Sequence, residues 1–268
     1  MLNNITLGQY YPVDSPVHRL DPRVKLCLTI VFIVIVFLAK TFVGYALMLG
    51  FIYLTTRLAR VPFRFLLRGL KPLRMILILT FLLNLFFTTG DTVWVSFWVI
   101  RITKEGFLQA LFYSLRLIFL VMGTSLLTLT TSPVALSDGL ETLLSPLKVI
   151  HFPAHELAMM MTIALRFIPT LLEETDKIKK AQMARGADFE SGNLIVRARA
   201  MVPLLVPLFV SAFRRAGDLA MAMESRCYHG GEDRTRLRVL KIGRNDFIAC
   251  GAVALLLVLV ILEGIFLG

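Results

Sequence analysis

Two arginine tripeptides are the most chemically pointed features of this chain. Ala184-Arg185-Gly186 stands in the frame Ala-Gln-Met-Ala-Arg-Gly, and Ser225-Arg226-Cys227 in the frame Ala-Met-Glu-Ser-Arg-Cys. Each sets one arginine between small residues. Small neighbours let another backbone come close, and the guanidinium offers a planar fork of donors that fits a carboxylate. A single arginine near a helix C-terminus needs no more explanation than the macrodipole, worth a few tenths to about 1 kcal/mol. Two copies in matched frames point instead to helix ends that dock on acidic groups of a partner.

Other groups able to do chemistry are thinly spread. Cys27, Cys227 and Cys250 show no Cys-x-x-Cys spacing and are odd in number, so neither a disulfide framework nor a zinc site is expected. His151 and His155 are four apart, but Pro153 between them spoils a regular helix and no third ligand is at hand, so no metal is expected. The phosphate loop Gly-x-x-x-x-Gly-Lys-Ser/Thr is missing, as are Gly-x-Ser-x-Gly, His-Glu-x-x-His and Gly-x-Gly-x-x-Gly. We therefore expect no cofactor, no catalysis and no ATP hydrolysis by this chain, with the energy coming from another. Arg116 lies in a long apolar run without an ionisable relay around it, which favours a structural role.

The elements that must carry these groups are dictated by lipid. Of 268 residues, 57% are hydrophobic and 18% charged, with a mean hydropathy of +0.75. A soluble domain carries about 25% charged residues. The net charge of +11 is assigned to cytoplasmic loops and anionic headgroups, not nucleic acid, because no basic motif is interleaved with aromatics. The first 21 residues lack a basic stretch leading into an apolar run, so no cleaved signal peptide is expected.

Five spans are predicted, over 26–39, 42–56, 75–89, 106–131 and 246–267, by the need for roughly 20 apolar residues, shorter runs being extended by their neighbours. Arg57, Arg60, Arg64, Arg68, Lys71 and Arg74 put their loop in the cytoplasm, and Arg23 and Lys25 put the N-terminus there, which leaves the C-terminus outside. Pro62 and Pro72 bracket a short interfacial helix. Residues 93–100, with Trp94 and Trp98 four apart, read as an interfacial or re-entrant piece whose tryptophans share one helical face.

The stretch 132–244 reads as three coupling helices with no span among them. Ser132 caps the first, which Pro133 opens and which ends near residue 144. The second covers about 154–186 with a kink at Pro169, and Glu173–Lys177 and Asp176–Lys180 stand at the favourable acid-first spacing. In the third, about 194–228, the apolar piece 200–213 holds Pro203 and Pro207 and is too short and broken to span. The expected fold is thus an all-α integral membrane protein of about five transmembrane and three cytoplasmic or interfacial helices. Its parts are 1–131, 132–244 and 245–268.

Four stretches in this order resemble the T component, the transmembrane coupling subunit, of energy-coupling factor (ECF) transporters. They are Leu20-Asp21-Pro22-Arg23-Val24-Lys25, Leu165-Arg166-Phe167-Ile168-Pro169, Ala184-Arg185-Gly186, and Ala220-Met221-Ala222-Met223-Glu224-Ser225-Arg226-Cys227-Tyr228. The resemblance covers almost the whole chain. It implies that Arg185 and Arg226, with their neighbours Ala184, Gly186, Ser225 and Cys227, insert into grooves of two ATPase subunits. It also implies that the membrane helices hold a substrate-binding S component, in the bacterial cell membrane, for uptake of a vitamin or other micronutrient. Ser225 and Cys227 depart from the family's Ala-Arg-Gly, though both are small. Seven of the 11 methionines fall between His151 and His229, and a flexible thioether surface suits a module shared by several partners, as well as ordinary gap filling. A self-contained secondary transporter would show internal repeats and ionisable residues deep in several spans, and a membrane enzyme would show convergent acids or ligands. Neither pattern is present.

Overall fold

A computed structural model describes residues 10–88, 93–97, 100–150, 152–189, 193–230 and 240–266. In chain order it contains α1 (Pro22–Leu38), α2 (Phe42–Leu58), α3 (Phe63–Leu70), α4 (Arg74–Phe87), β1 (Val93–Phe97), β2 (Ile100–Thr103), α5 (Lys104–Thr130), α6 (Pro133–Leu144), α7 (Ala154–Ala184), α8 (Leu194–Glu224) and α9 (Arg244–Phe266). A 3-10 turn, Ser145–Ile150, links α6 to α7. Among the described residues the fold is all-α apart from the short antiparallel pair β1–β2.

Local chemistry sets the helix ends. Asp21 caps α1 by accepting the Arg23 N–H at 2.9 Å, with Pro22 in the first turn. Thr103 caps α5 through the Gly106 N–H, and Ser132 caps α6 through the Ala135 N–H at 3.2 Å. The helix α3 and its neighbour α4 are bent by 64° at their break, and together they pass as one broken span.

Two sequence expectations are corrected. Residues 93–97 form a strand, not a helical piece: valines and aromatics alternate in Val-Trp-Val-Ser-Phe, and β-branched and aromatic residues at period two fit a pleated ribbon. Trp98 lies outside the described residues. The helices expected over 154–186 and 194–228 form as α7 and α8, each continuous over 31 residues through Pro169, Pro203 and Pro207; the second correction concerns the expectation that 132–244 holds no helix able to span. A proline removes one backbone bond, and a long helix supported by its neighbour carries on past it. By length and composition α7 and the Arg199–Glu224 part of α8 qualify as spans alongside α5 and α9.

The chain divides into two units. In the unit of residues 8–140 and 240–268, the helices α1, α2, α5 and α9 close on Ile35, Val36, Met48, Ile52, Met122 and Val260, all buried. Tyr45 stacks on Phe119 with ring centroids 5.6 Å apart. The outward faces keep large apolar residues exposed, such as Phe37, Leu54, Ile248 and Phe266, as helices solvated by hydrocarbon do.

In this unit the 20–25 stretch is a latch. The Arg23 guanidinium grips the Asp21 carboxylate at 2.7 Å and donates to the Leu240 carbonyl at 3.1 Å. Lys25, buried, donates to the carbonyls of His18 and Thr130. Charged groups are thereby kept satisfied at the end of α1 while tying it to the end of α5 and the approach to α9.

The unit that spans residues 141–239 is built on α7 and α8, which run antiparallel. Glu174 pairs with Arg215 at 3.1 Å, each in the C-terminal half of its helix, and Tyr228, just past the end of α8, reaches His155 at the start of α7.

Candidate docking site

Both tripeptides terminate a long helix, and they do so with the same backbone turn. After α7, the Ala187 N–H donates to the Gln182 carbonyl at 3.0 Å and the Gly186 N–H to the Met183 carbonyl at 3.0 Å, with Gly186 at φ +90°. After α8, the Tyr228 N–H donates to the Met223 carbonyl at 3.1 Å and the Cys227 N–H to the Glu224 carbonyl at 2.9 Å, with Cys227 at φ +53°. This nested pair of bonds, closed by a left-handed residue, is the Schellman turn. Gly186 and Cys227 are equivalent positions, and Arg185 and Arg226 each stand one residue before the left-handed one.

The substitution that set the second tripeptide apart therefore leaves the turn intact. An L residue pays for the left-handed conformation about 1–2 kcal/mol that glycine does not. Ser225, in place of Ala184, turns its hydroxyl back to the Ala222 carbonyl at 3.1 Å and leaves the outer side to the arginine.

All six residues of the two tripeptides are exposed. Among the described residues neither Arg185 nor Arg226 has a hydrogen-bonded or acidic partner, so each presents its full donor fork outward. The antiparallel packing puts the two turns at opposite ends of the helix pair. Arg226 follows α8 beside the start of α7, and Arg185 ends α7, whose 31 residues span up to about 45 Å at 1.5 Å per residue. Two guanidiniums so separated cannot share one binding pocket.

Other residues singled out in the sequence are not part of this arrangement. His155 Nδ1 is hydrogen-bonded with Glu141 Oε1 at 2.9 Å, and no cluster of three or more potential metal ligands occurs among the described residues. His151 lies outside them. The expected pairs Glu173–Lys177 and Asp176–Lys180 do not close as ion pairs among the described residues; Glu174 pairs instead with Arg215 across the helices. Arg116 lies over the rings of Phe37 and Tyr113, 5.5 and 5.6 Å from their centroids, a cation–π setting that fits its structural reading. The contacts of His155 and Arg215, which sequence reasoning missed, depend on residues 73 and 41 positions away and leave no local periodic signal.

Helices of this length and hydropathy define an all-α integral membrane protein. The family described as CbiQ, cobalt transport protein, matches residues 14–237. The energy-coupling factor transporter transmembrane protein EcfT of Thermosediminibacter oceani is 57% identical over 256 residues, covering 94% of this chain and 96% of the relative. The protein of the same name from Clostridium kluyveri is 52% identical over 269 residues and covers both chains in full, and that from Bacillus subtilis is 52% identical over 240 residues, 90% and 91% of the two chains. The chain belongs to the EcfT family of energy-coupling factor transporter transmembrane proteins.

Proposed function

We propose that this chain is the coupling subunit of an ATP-driven importer of the bacterial cell membrane, docked through Arg185 on one ATPase subunit and through Arg226 on a second. The observation that carries this reading is the pair of equivalent, exposed arginine turns at opposite ends of α7 and α8. ATP hydrolysis belongs to the partner chains, since no phosphate loop occurs here. When the ATPases close on nucleotide, two helices gripped at opposite ends must pivot on one another, and the Glu174–Arg215 pair ties them together.

The cargo is bound by a separate membrane S component, in line with the apolar surface that α7 and α8 leave open. Met160 and Met161 of α7 and Met201 and Met221 of α8 are each more than two-fifths exposed, as are Phe209 and Phe213 of α8. Thioethers repack against different shapes, which suits a module serving several S components. The cargo class is a vitamin or other micronutrient. The division of labour follows the parts 1–131, 132–244 and 245–268, with the middle one carrying the coupling.

Replacement of both arginines by alanine in the native complex tests the reading. Loss of a desolvated charged pair costs about 2 kcal/mol or more, roughly thirtyfold in affinity, against about 1 kcal/mol or less for a solvated helix-end charge. The double variant should lose the ATPases on purification, each single variant less severely, because two docking points reinforce one another through effective concentration. Lysine should rescue poorly, lacking the planar fork. Retention of both ATPases and wild-type uptake by the double variant would overturn the proposal.

A further inference from the structure

The two docking turns are alike in backbone but not in how they are held. At the first, glycine occupies the left-handed position, and the next residue is Ala187, whose side chain has nothing to grip with. At the second, Cys227 occupies that position and is disfavoured there about tenfold relative to glycine. The next residue is Tyr228, and its phenolic oxygen lies 3.4 Å from His155 Nε2. His155 Nδ1 in turn lies 2.9 Å from Glu141 Oε1, with both side chains largely buried. Strained backbone persists where its surroundings over-determine it, and here the surroundings are three hydrogen-bonded side chains from the end of α6, the start of α7 and the residue just past the strained one.

We propose that Glu141, His155 and Tyr228 form a positioning chain that holds the Arg226 turn in its left-handed conformation, supplying by contact what Gly186 supplies by its own freedom at Arg185. The chemistry closes in either protonation state. In the neutral imidazole, Nδ1–H donates to the Glu141 carboxylate and Nε2 accepts from the tyrosine O–H; in the imidazolium, both N–H groups donate and the phenolic oxygen accepts. Glu141 fixes the ring orientation, so that Nε2 faces Tyr228 rather than solvent. The consequence for docking rests on the reading of Arg226 given above, but the consequence for the turn does not.

The test is hydrogen exchange followed by mass spectrometry on the full-length protein, reading the Tyr228 amide that bonds to Met223, with the Ala187 amide as internal reference. Tyr228→Phe removes one hydroxyl and keeps the ring, so the fold survives it even if His155→Ala does not. The expected result is about tenfold faster exchange at Tyr228 with no change at Ala187. Adding Cys227→Gly to Tyr228→Phe should restore the slow exchange, a rescue that loss of general packing would not give. In the complex, Tyr228→Phe should weaken retention of one ATPase, and the same Cys227→Gly change should recover it. Unchanged exchange in Tyr228→Phe, or failure of Cys227→Gly to rescue, would overturn the positioning chain. If Arg226→Ala leaves the complex intact while the exchange results hold, the docking reading falls and the chain stands.

Discussion

The backbone N–H of Asp21 donates to Oδ1 of Asp246 at 2.8 Å, joining the entry of α1 to the first turn of α9 across 225 positions of sequence. The other oxygen of Asp246 accepts the Gly243 N–H at 2.7 Å, and the side chain is buried. Asp246→Ala orphans the buried Asp21 N–H and leaves the exposed Gly243 N–H to water, and should cost about 1–3 kcal/mol, the penalty of one buried unsatisfied group. Asp246→Asn keeps one acceptor oxygen and should cost less. Thermal unfolding of the detergent-solubilised protein measures both, and equal melting temperatures for Asp246→Ala and the unmodified chain would refute the latch.

The same latch should be sensitive to acid. The Arg23 guanidinium bonded to Asp21 holds its carboxyl below the usual carboxylate value of 3.8. A carboxyl depressed on folding stabilises the folded state above its ordinary value, and that contribution is lost as pH falls through the folded-state value. Stability should therefore drop below about pH 4, and Asp21→Asn should be less stable at neutral pH with a shallower loss on acidification. Parallel pH profiles for the two proteins would contradict this.

Gly139 of α6 is a spacer. A β-carbon there would stand 3.0 Å from the Pro22 β-carbon, 3.2 Å from the Pro22 carbonyl carbon and 3.3 Å from the Arg23 nitrogen. Two of these are backbone atoms at the capped start of α1 and cannot swing aside. Gly139→Ala should destabilise by about 1–3 kcal/mol in spite of alanine's better helix propensity, as overpacking does. A rise in melting temperature would show that the contact yields.

Gly186 is required by its turn, for φ +90° with open space around it places the whole cost of a side chain in the backbone. Gly186→Ala should weaken assembly with the ATPases more than Gly186→Asn, because asparagine tolerates the left-handed region. Equal assembly for both variants would argue that this turn is not what the partner grips.

Topology is decided by labelling. The basic residues from Arg57 to Arg74 favour a cytoplasmic loop there and an N-terminus inside. With the three native cysteines replaced, a cysteine at Asp91 should react with an impermeant reagent in whole cells and one at Gly192 should not. Reaction at Gly192 would mean that α7 and α8, which are apolar and long enough, cross the bilayer.

Composition, charge placement and the period of apolar residues determine that this chain lives in a membrane, roughly where its helices run and which arginines end α7 and α8, because each is a property of residues close together in sequence. Asp21-Pro22 writes its own helix start, and Ala-Arg-Gly its own turn. What the tertiary structure decided depends on partners far apart in the chain. Whether Pro203 and Pro207 break α8 depends on what supports the helix around them, and whether Glu174 pairs with Lys177 or Arg215 depends on where α8 lies. Residues 93–97 became a strand because 100–103 were there to pair with it. Cys227 in the place of glycine is legible in the sequence, but its left-handed backbone is held beside His155, 72 positions away by number and adjacent only once α7 and α8 pack antiparallel, so the equivalence of the two arginine turns emerges only in the folded chain.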